Sequence, residues 1–232
     1  MKRDTTISIA KGIAIILMVI AHAEAPGWLC QFIFEFHMPL FFITAGYFFS
    51  LKYLNDEATF VKKRIKGLYW PFWKWAVFFL IIHNWMFDLG ILNEVYGNET
   101  GGVTHPYTWH QIQQNLWNIT TAMGGYDQFL CGAFWFFIAL IFVTIAYAII
   151  RFIGRKLSGR IDENITVSAG VLFCFVLGCV MRYTVNIPRF SPALTLVLFY
   201  HLGNLYYVNR ERISFNNGFI CSISFMFNVD LP

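Results

Sequence analysis

Charge is what this chain lacks most. Only 13% of its 232 residues are Asp, Glu, Lys or Arg, about half the share of an ordinary soluble domain. With 57% hydrophobic residues, 26 Phe and 8 Trp, that shortage argues against a soluble enzyme and for an integral membrane protein. Cysteine pairing is absent as well. Cys30, Cys131, Cys174, Cys179 and Cys221 form no CxxC and are odd in number. Four of them sit in or beside apolar runs, so they read as small apolar residues. No glycine-rich phosphate loop occurs, and His83, His105, His110 and His201 match no metal-ligand spacing, so no metal is assigned. No small-residue cleavage site ends the first apolar run, so the N-terminus is not a cleavable signal. The net charge of +4 is spread between apolar runs rather than over one face, which gives no nucleic-acid signature.

What the chain does hold is a series of apolar runs. They lie at 7–22, 30–50, 68–92, 129–150, 165–181 and about 191–208, with a weaker one at 213–229. The expectation is an all-α integral membrane protein, a polytopic bundle of about six or seven transmembrane helices, with residues 3–232 forming one domain. Residues 51–67 read as a polar loop or amphipathic turn. Tyr69, Trp70, Pro71, Trp73 and Trp75 form an interfacial aromatic cluster. Residues 93–128 hold no Lys or Arg, and Trp109 and Trp117 suggest a short amphipathic piece lying on the membrane.

Basic residues orient the bundle. The 51–67, 151–164 and 209–212 loops carry 5, 4 and 2 Lys or Arg, against 0, 0 and 2 for the 23–29, 93–128 and 182–190 loops. The excess predicts a cytoplasmic N-terminus.

The sharpest candidates lie in the first hairpin. His22 ends the first run, and FEFHMPLFFITAGYFF (Phe34 to Phe49) follows. The pair of segments is expected to bring His22, Glu24, Glu35 and His37 near one another. Ionisable groups at such depth are costly and are functional candidates. An imidazole can act as general base toward a hydroxyl, with Glu24 or Glu35 to orient it. The structural alternative is a histidine that only bonds a backbone carbonyl. Lys11 shares a helix face with His22, roughly 16 Å away along the axis. Pro39 frees a backbone carbonyl that His37 or Thr44 is expected to satisfy. Lys62, Lys63, Arg64 and Lys66 either set topology against anionic lipid or cradle a polyanionic cytosolic cofactor.

Four segments carry a resemblance. ISIAKGIAIILMVIAH, the FHMPLFF–TAGYFF hairpin, KKRIKGLYWPFW and GAFWFFIAL, in this order and at these separations, resemble the membrane-bound acyltransferase-3 family over residues 3–208. The resemblance implies an enzyme that moves an acyl group, commonly acetyl from cytosolic acetyl-CoA, to a hydroxyl of a carbohydrate or lipid-linked glycan. It implies a bacterial inner-membrane location. By position, His22 matches the essential histidine; Glu35, like Glu24, is a candidate partner from the residues alone. Lys11 stands in place of a first-span arginine, and Lys63, Arg64 and Lys66 match the basic residues that open span three. Ser8 and Ala45 depart from the pattern, and the family's C-terminal helices are expected to be missing here. Transporters of glycans or small solutes also use broken helices and buried charge. No internal repeat favours that reading, and an inactive remnant is the third possibility.

Overall fold

The computed structural model describes residues 5–22, 25–49, 56–92, 105–127, 130–157, 162–185, 187 and 190–209. Among them are seven α-helices and no strand. They are α1 (Thr5–His22), α2 (Gly27–Tyr47), α3 (Glu57–Asp88), α4 (Trp109–Ala122), α5 (Trp135–Leu157), α6 (Glu163–Thr184) and α7 (Phe190–Asn209). A 3-10 turn, Gly132–Phe134, leads into α5. The chain divides into two compact units, residues 1–49 with 199–232, and residues 50–198.

The expected all-α architecture is borne out. Helices α2, α3 and α6 and the segment Gly132–Leu157 are long and apolar enough to cross a membrane. Helix α1 is apolar but shorter. Helix α7 covers the sixth run, with His201 and Asn204 lowering its apolarity. The weak run at 213–229 lies outside the described residues.

The stretch expected to be a loop at 51–67 is helical from Glu57 onward, continuous with the third span. Good helix formers fill it, and Asp56 caps it by accepting from the Thr59 backbone N–H at 3.1 Å. The resulting 32 residues reach about 48 Å, well beyond a hydrocarbon core of about 30 Å. The first turns therefore project past the apolar layer, which keeps their lysines wet.

In the first unit, α1 packs on α2. Pro39 lies inside α2 without ending it. The carbonyl it frees is that of Glu35, yet neither expected partner serves it. His37 Nδ1–H donates to the Ile33 carbonyl at 2.7 Å, and the Thr44 hydroxyl donates to the Phe41 carbonyl at 3.0 Å. Helical side chains reach back three or four residues, and neither residue stands there relative to Glu35. The end of α2 meets the last half of α7 backbone to backbone. A Cβ at Gly46 would come within 2.6 Å of the Tyr200 carbonyl carbon, and one at Gly203 within 2.7 Å of the Ile43 carbonyl carbon.

In the second unit, α5 packs between α3 and α6. Arg155 forks onto both carboxylate oxygens of Glu57, the longer bond being 3.0 Å. Arg151 pairs with Glu163 at 3.1 Å. These two pairs bring the start of α3, the end of α5 and the start of α6 to one end of the unit, the end where the basic residues gather.

Helix α4 is the amphipathic piece, but it does not lie across the spans. The backbone of Tyr107, just before it, is clamped by the Asn84 amide at 2.7 and 2.9 Å. Near its end, Thr120 accepts from the Tyr69 hydroxyl at 2.7 Å and from the Trp73 indole at 3.1 Å. It therefore runs antiparallel to α3 along about four turns. Ile112, Ile119 and Met123 hold it against Phe72, Ala76 and Leu80, and this burial outweighs any preference for the membrane surface.

Candidate functional site

His22 is the last residue of α1, and its side chain, like Glu24, lies outside the described residues. Across the hairpin, α2 buries His37 and leaves Glu35 exposed. Two helical residues differ by about 200° in direction, so no one face of α2 presents both. Among the described residues the Glu35 carboxylate has no hydrogen-bond or ion-pair partner. Lys11 is half-buried, its ammonium 5.6 Å from the Phe48 ring centroid. This cation–π contact holds a charge that lipid would otherwise penalise.

Helix α7 adds two buried polar residues to the first unit, His201 and Asn204. Sequence reasoning weighed His201 for metal binding alone. The available signal was HLGN, polar residues flanking a glycine inside an apolar run. Gly203 lets the backbones touch, and the neighbouring polar groups are buried with it.

The basic residues of α3 do not act as one patch. Lys62 and Lys66 lie on one face and rim a cleft of about 730 Å³ between α3 and α5, with Tyr69, Trp70, Ile149 and Phe152 on its walls. Lys63 is turned about 100° and Arg64 about 200° from Lys62. So of the three expected cofactor ligands on this helix, Lys66 faces the cleft, joined by Lys62. Lys11 belongs to the other unit.

A third cluster escaped sequence reading. His83 and Asp127 are fully buried side chains with Nδ1 2.5 Å from Oδ2. His83 Nε2–H donates to the His105 carbonyl at 2.9 Å. A carbonyl can only accept, so the ring's second nitrogen must share a proton with Asp127. That carboxylate also accepts from the Leu130 backbone N–H at 2.7 Å and the Tyr107 hydroxyl at 3.3 Å. The Tyr107 ring stacks on His83, centroids 3.8 Å apart. Burial first, then the Asp127 charge, hold the Tyr107 phenol well above its ordinary value. The cluster pins the loop before α4 to α3. Asp127→Ala leaves a buried imidazole without its partner and is expected to cost about 3–5 kcal/mol. Thermal unfolding in detergent checks it, and an unchanged midpoint would rule out the pair as a structural pin.

No curated protein and no solved structure was found to match the chain. Residues 4–229 match the acyltransferase domain of the acyltransferase-3 family. That span takes in the histidine-ended α1, the α2 hairpin, the basic start of α3 and every described helix after it. With several helices able to cross a membrane, the chain belongs to the acyltransferase-3 family of multi-pass membrane acyltransferases.

Proposed function

We propose that this protein transfers an acetyl group from acetyl-CoA to a hydroxyl of a cell-surface or lipid-linked carbohydrate. The observation that carries the reading is the cationic, apolar-walled cleft of α3 and α5 in a chain of this family. Lysines over an apolar groove suit a donor with phosphates at one end and a thin acylated arm at the other. Lys66 and Lys62 hold the phosphates at the cleft. His22 takes the proton of the acceptor hydroxyl as its oxygen attacks the thioester carbonyl. The carbon–sulfur bond then breaks, and CoA leaves as the thiol, its sulfur taking the proton back from the His22 imidazolium. Glu35 serves as the carboxylate that orients the imidazole. The N-terminus is cytoplasmic, in a bacterial inner membrane. The gathering of basic residues at one end of the second unit supports that orientation.

The test is transfer of labelled acetyl from acetyl-CoA to membrane glycans by vesicles carrying the chain. Labelled glycan above empty vesicles is expected. Lys62→Glu with Lys66→Glu is expected to raise the KM for acetyl-CoA about tenfold for each lysine–phosphate bond removed, with kcat little changed. A stably inserted chain that labels nothing would overturn the proposal.

A further inference from the structure

Helix α4 carries an amide stripe. Gln111, Gln114, Asn115 and Asn118 recur at the spacing of one helical face. The face about 100° round the helix, with Ile112, Ile119 and Met123, is spent on packing against α3. Gln111 is already committed. Its side chain closes the helix start onto Thr108 at 2.8 Å and reaches the His105 ring at 3.3 Å. Among the described residues, the amides of Gln114, Asn115 and Asn118 have no hydrogen-bond partner. They line a cavity of about 370 Å³ with His105, Tyr107 and Tyr126.

Two observations make this more than a wet surface. First, α4 is held along α3 from the level of Asn84 to that of Tyr69, so its amide stripe is fixed in direction and faces the cavity rather than α3. Secondly, the walls are held in fixed positions. Gly125 has φ +68°, and a Cβ there would lie 2.7 Å from the Asn118 Cβ. Glycine thus lets the returning chain close against the amide stripe, while the buried His83–Asp127 pair fixes the other wall through Tyr107 and His105.

The lining specifies a ligand class. Among the described residues it holds no Lys or Arg, and Asp127, bonded to the Tyr107 hydroxyl, is buried. That lining offers an anion no fixed positive charge. Each free amide offers paired donors and an acceptor, which match vicinal hydroxyls. Tyr107 and Tyr126 supply apolar ring surface for the C–H face of a sugar. The volume falls within the usual range for a small-ligand pocket, about 300–1,000 Å³.

We infer that the cavity between α4 and the 105–107 and 125–126 segments is a binding site for a neutral sugar residue, read by Gln114, Asn115 and Asn118. This deepens the acyltransferase reading by naming where and through what groups its acceptor is held.

The experiment is saturation-transfer NMR on the full chain in detergent, with a mixture of neutral methyl glycosides as the probe and methyl glucuronide as the charged control. Transfer to one or more neutral glycosides is expected, with little to the glucuronide. Gln114→Ala with Asn115→Ala should reduce it at least fivefold, and His22→Ala should leave it intact. The alanines remove hydrogen-bonding groups without adding bulk, and an unchanged unfolding temperature would show that the fold is kept. Asn118→Asp, which retains the shape, should shift transfer away from the glucuronide further still. No transfer to any neutral glycoside, or transfer that ignores the amide variants, overturns the site. Acetyl transfer from acetyl-CoA separates the two readings. Sugar binding without transfer would sink the enzyme and leave the site. Transfer whose glycan KM ignores the amide variants would sink the site and leave the enzyme.

Discussion

His22→Ala is expected to lower acetyl transfer by about 10²–10⁴, the usual worth of a positioned general base. The loss should fall on kcat, because the imidazole acts on the proton of the attacking hydroxyl and not on the donor's phosphates. Sugar binding and the KM for acetyl-CoA should stay near their starting values. His22→Gln keeps a hydrogen-bonding side chain of similar reach but cannot take up the proton. It should therefore be as inactive as alanine. Full activity in the glutamine variant would reduce His22 to a helix-end cap, which is the structural alternative for a histidine in this position. Glu35→Gln should cost much less than His22→Ala. Glu35 is exposed on α2 while His37 is buried, and among the described residues nothing holds its carboxylate in place, so it orients a neighbour weakly.

Gly203→Val should prevent the chain from accumulating as a folded protein. The glycines at 46 and 203 face the opposite helix's backbone, with nothing flexible in between. A side chain at either place meets a carbonyl that α2 and α7 already use in their own ladders. Relief would require the two helices to move apart. Separation would loosen the contacts of Tyr47 with Tyr206 and Tyr207, now 5.9 and 5.2 Å between centroids. It would also loosen the burial of His201 and Asn204. Close backbone approach through small residues is a main source of helix association in lipid, where the hydrophobic effect gives no net pull. Overpacking typically costs about 1–3 kcal/mol, and more where, as here, the added side chain meets backbone that cannot give. Gly46→Val should behave alike, and the double variant should cost less than the sum, because both act on one contact. By contrast Gly12→Ala, where nothing lies within 4 Å, should be neutral. Yield of monodisperse protein and its unfolding midpoint measure all four. Wild-type values for Gly203→Val would mean that α2 and α7 do not depend on this contact.

The order of residues was enough to establish the class of protein, the approximate place of each described span, and the family, while the helix of the third span begins 11 residues before its expected start at 68 and that of the fourth runs 7 residues past its expected end at 150. Hydropathy and charge are local properties, summed over a window about as long as a span, so no tertiary knowledge is needed to read them. The same locality made the basic residues at 62–66 visible, and with them the phosphate-binding expectation. Their directions were not visible until the helix was seen to begin at Glu57. A basic stretch before a tryptophan-rich span reads equally well as loop or as projecting helix, and the choice rests on the Asp56 cap and on the Arg155 fork, 98 residues away. Packing alone sets α4 along α3, because an amphipathic helix finds its apolar partner equally well in lipid or in protein. It alone joins His83 to Asp127 and Gly46 to Tyr200. A buried ion pair and a backbone-to-backbone contact have no period in sequence. They exist only once packing has brought distant residues within a few ångströms, where desolvation and steric exclusion set the energy.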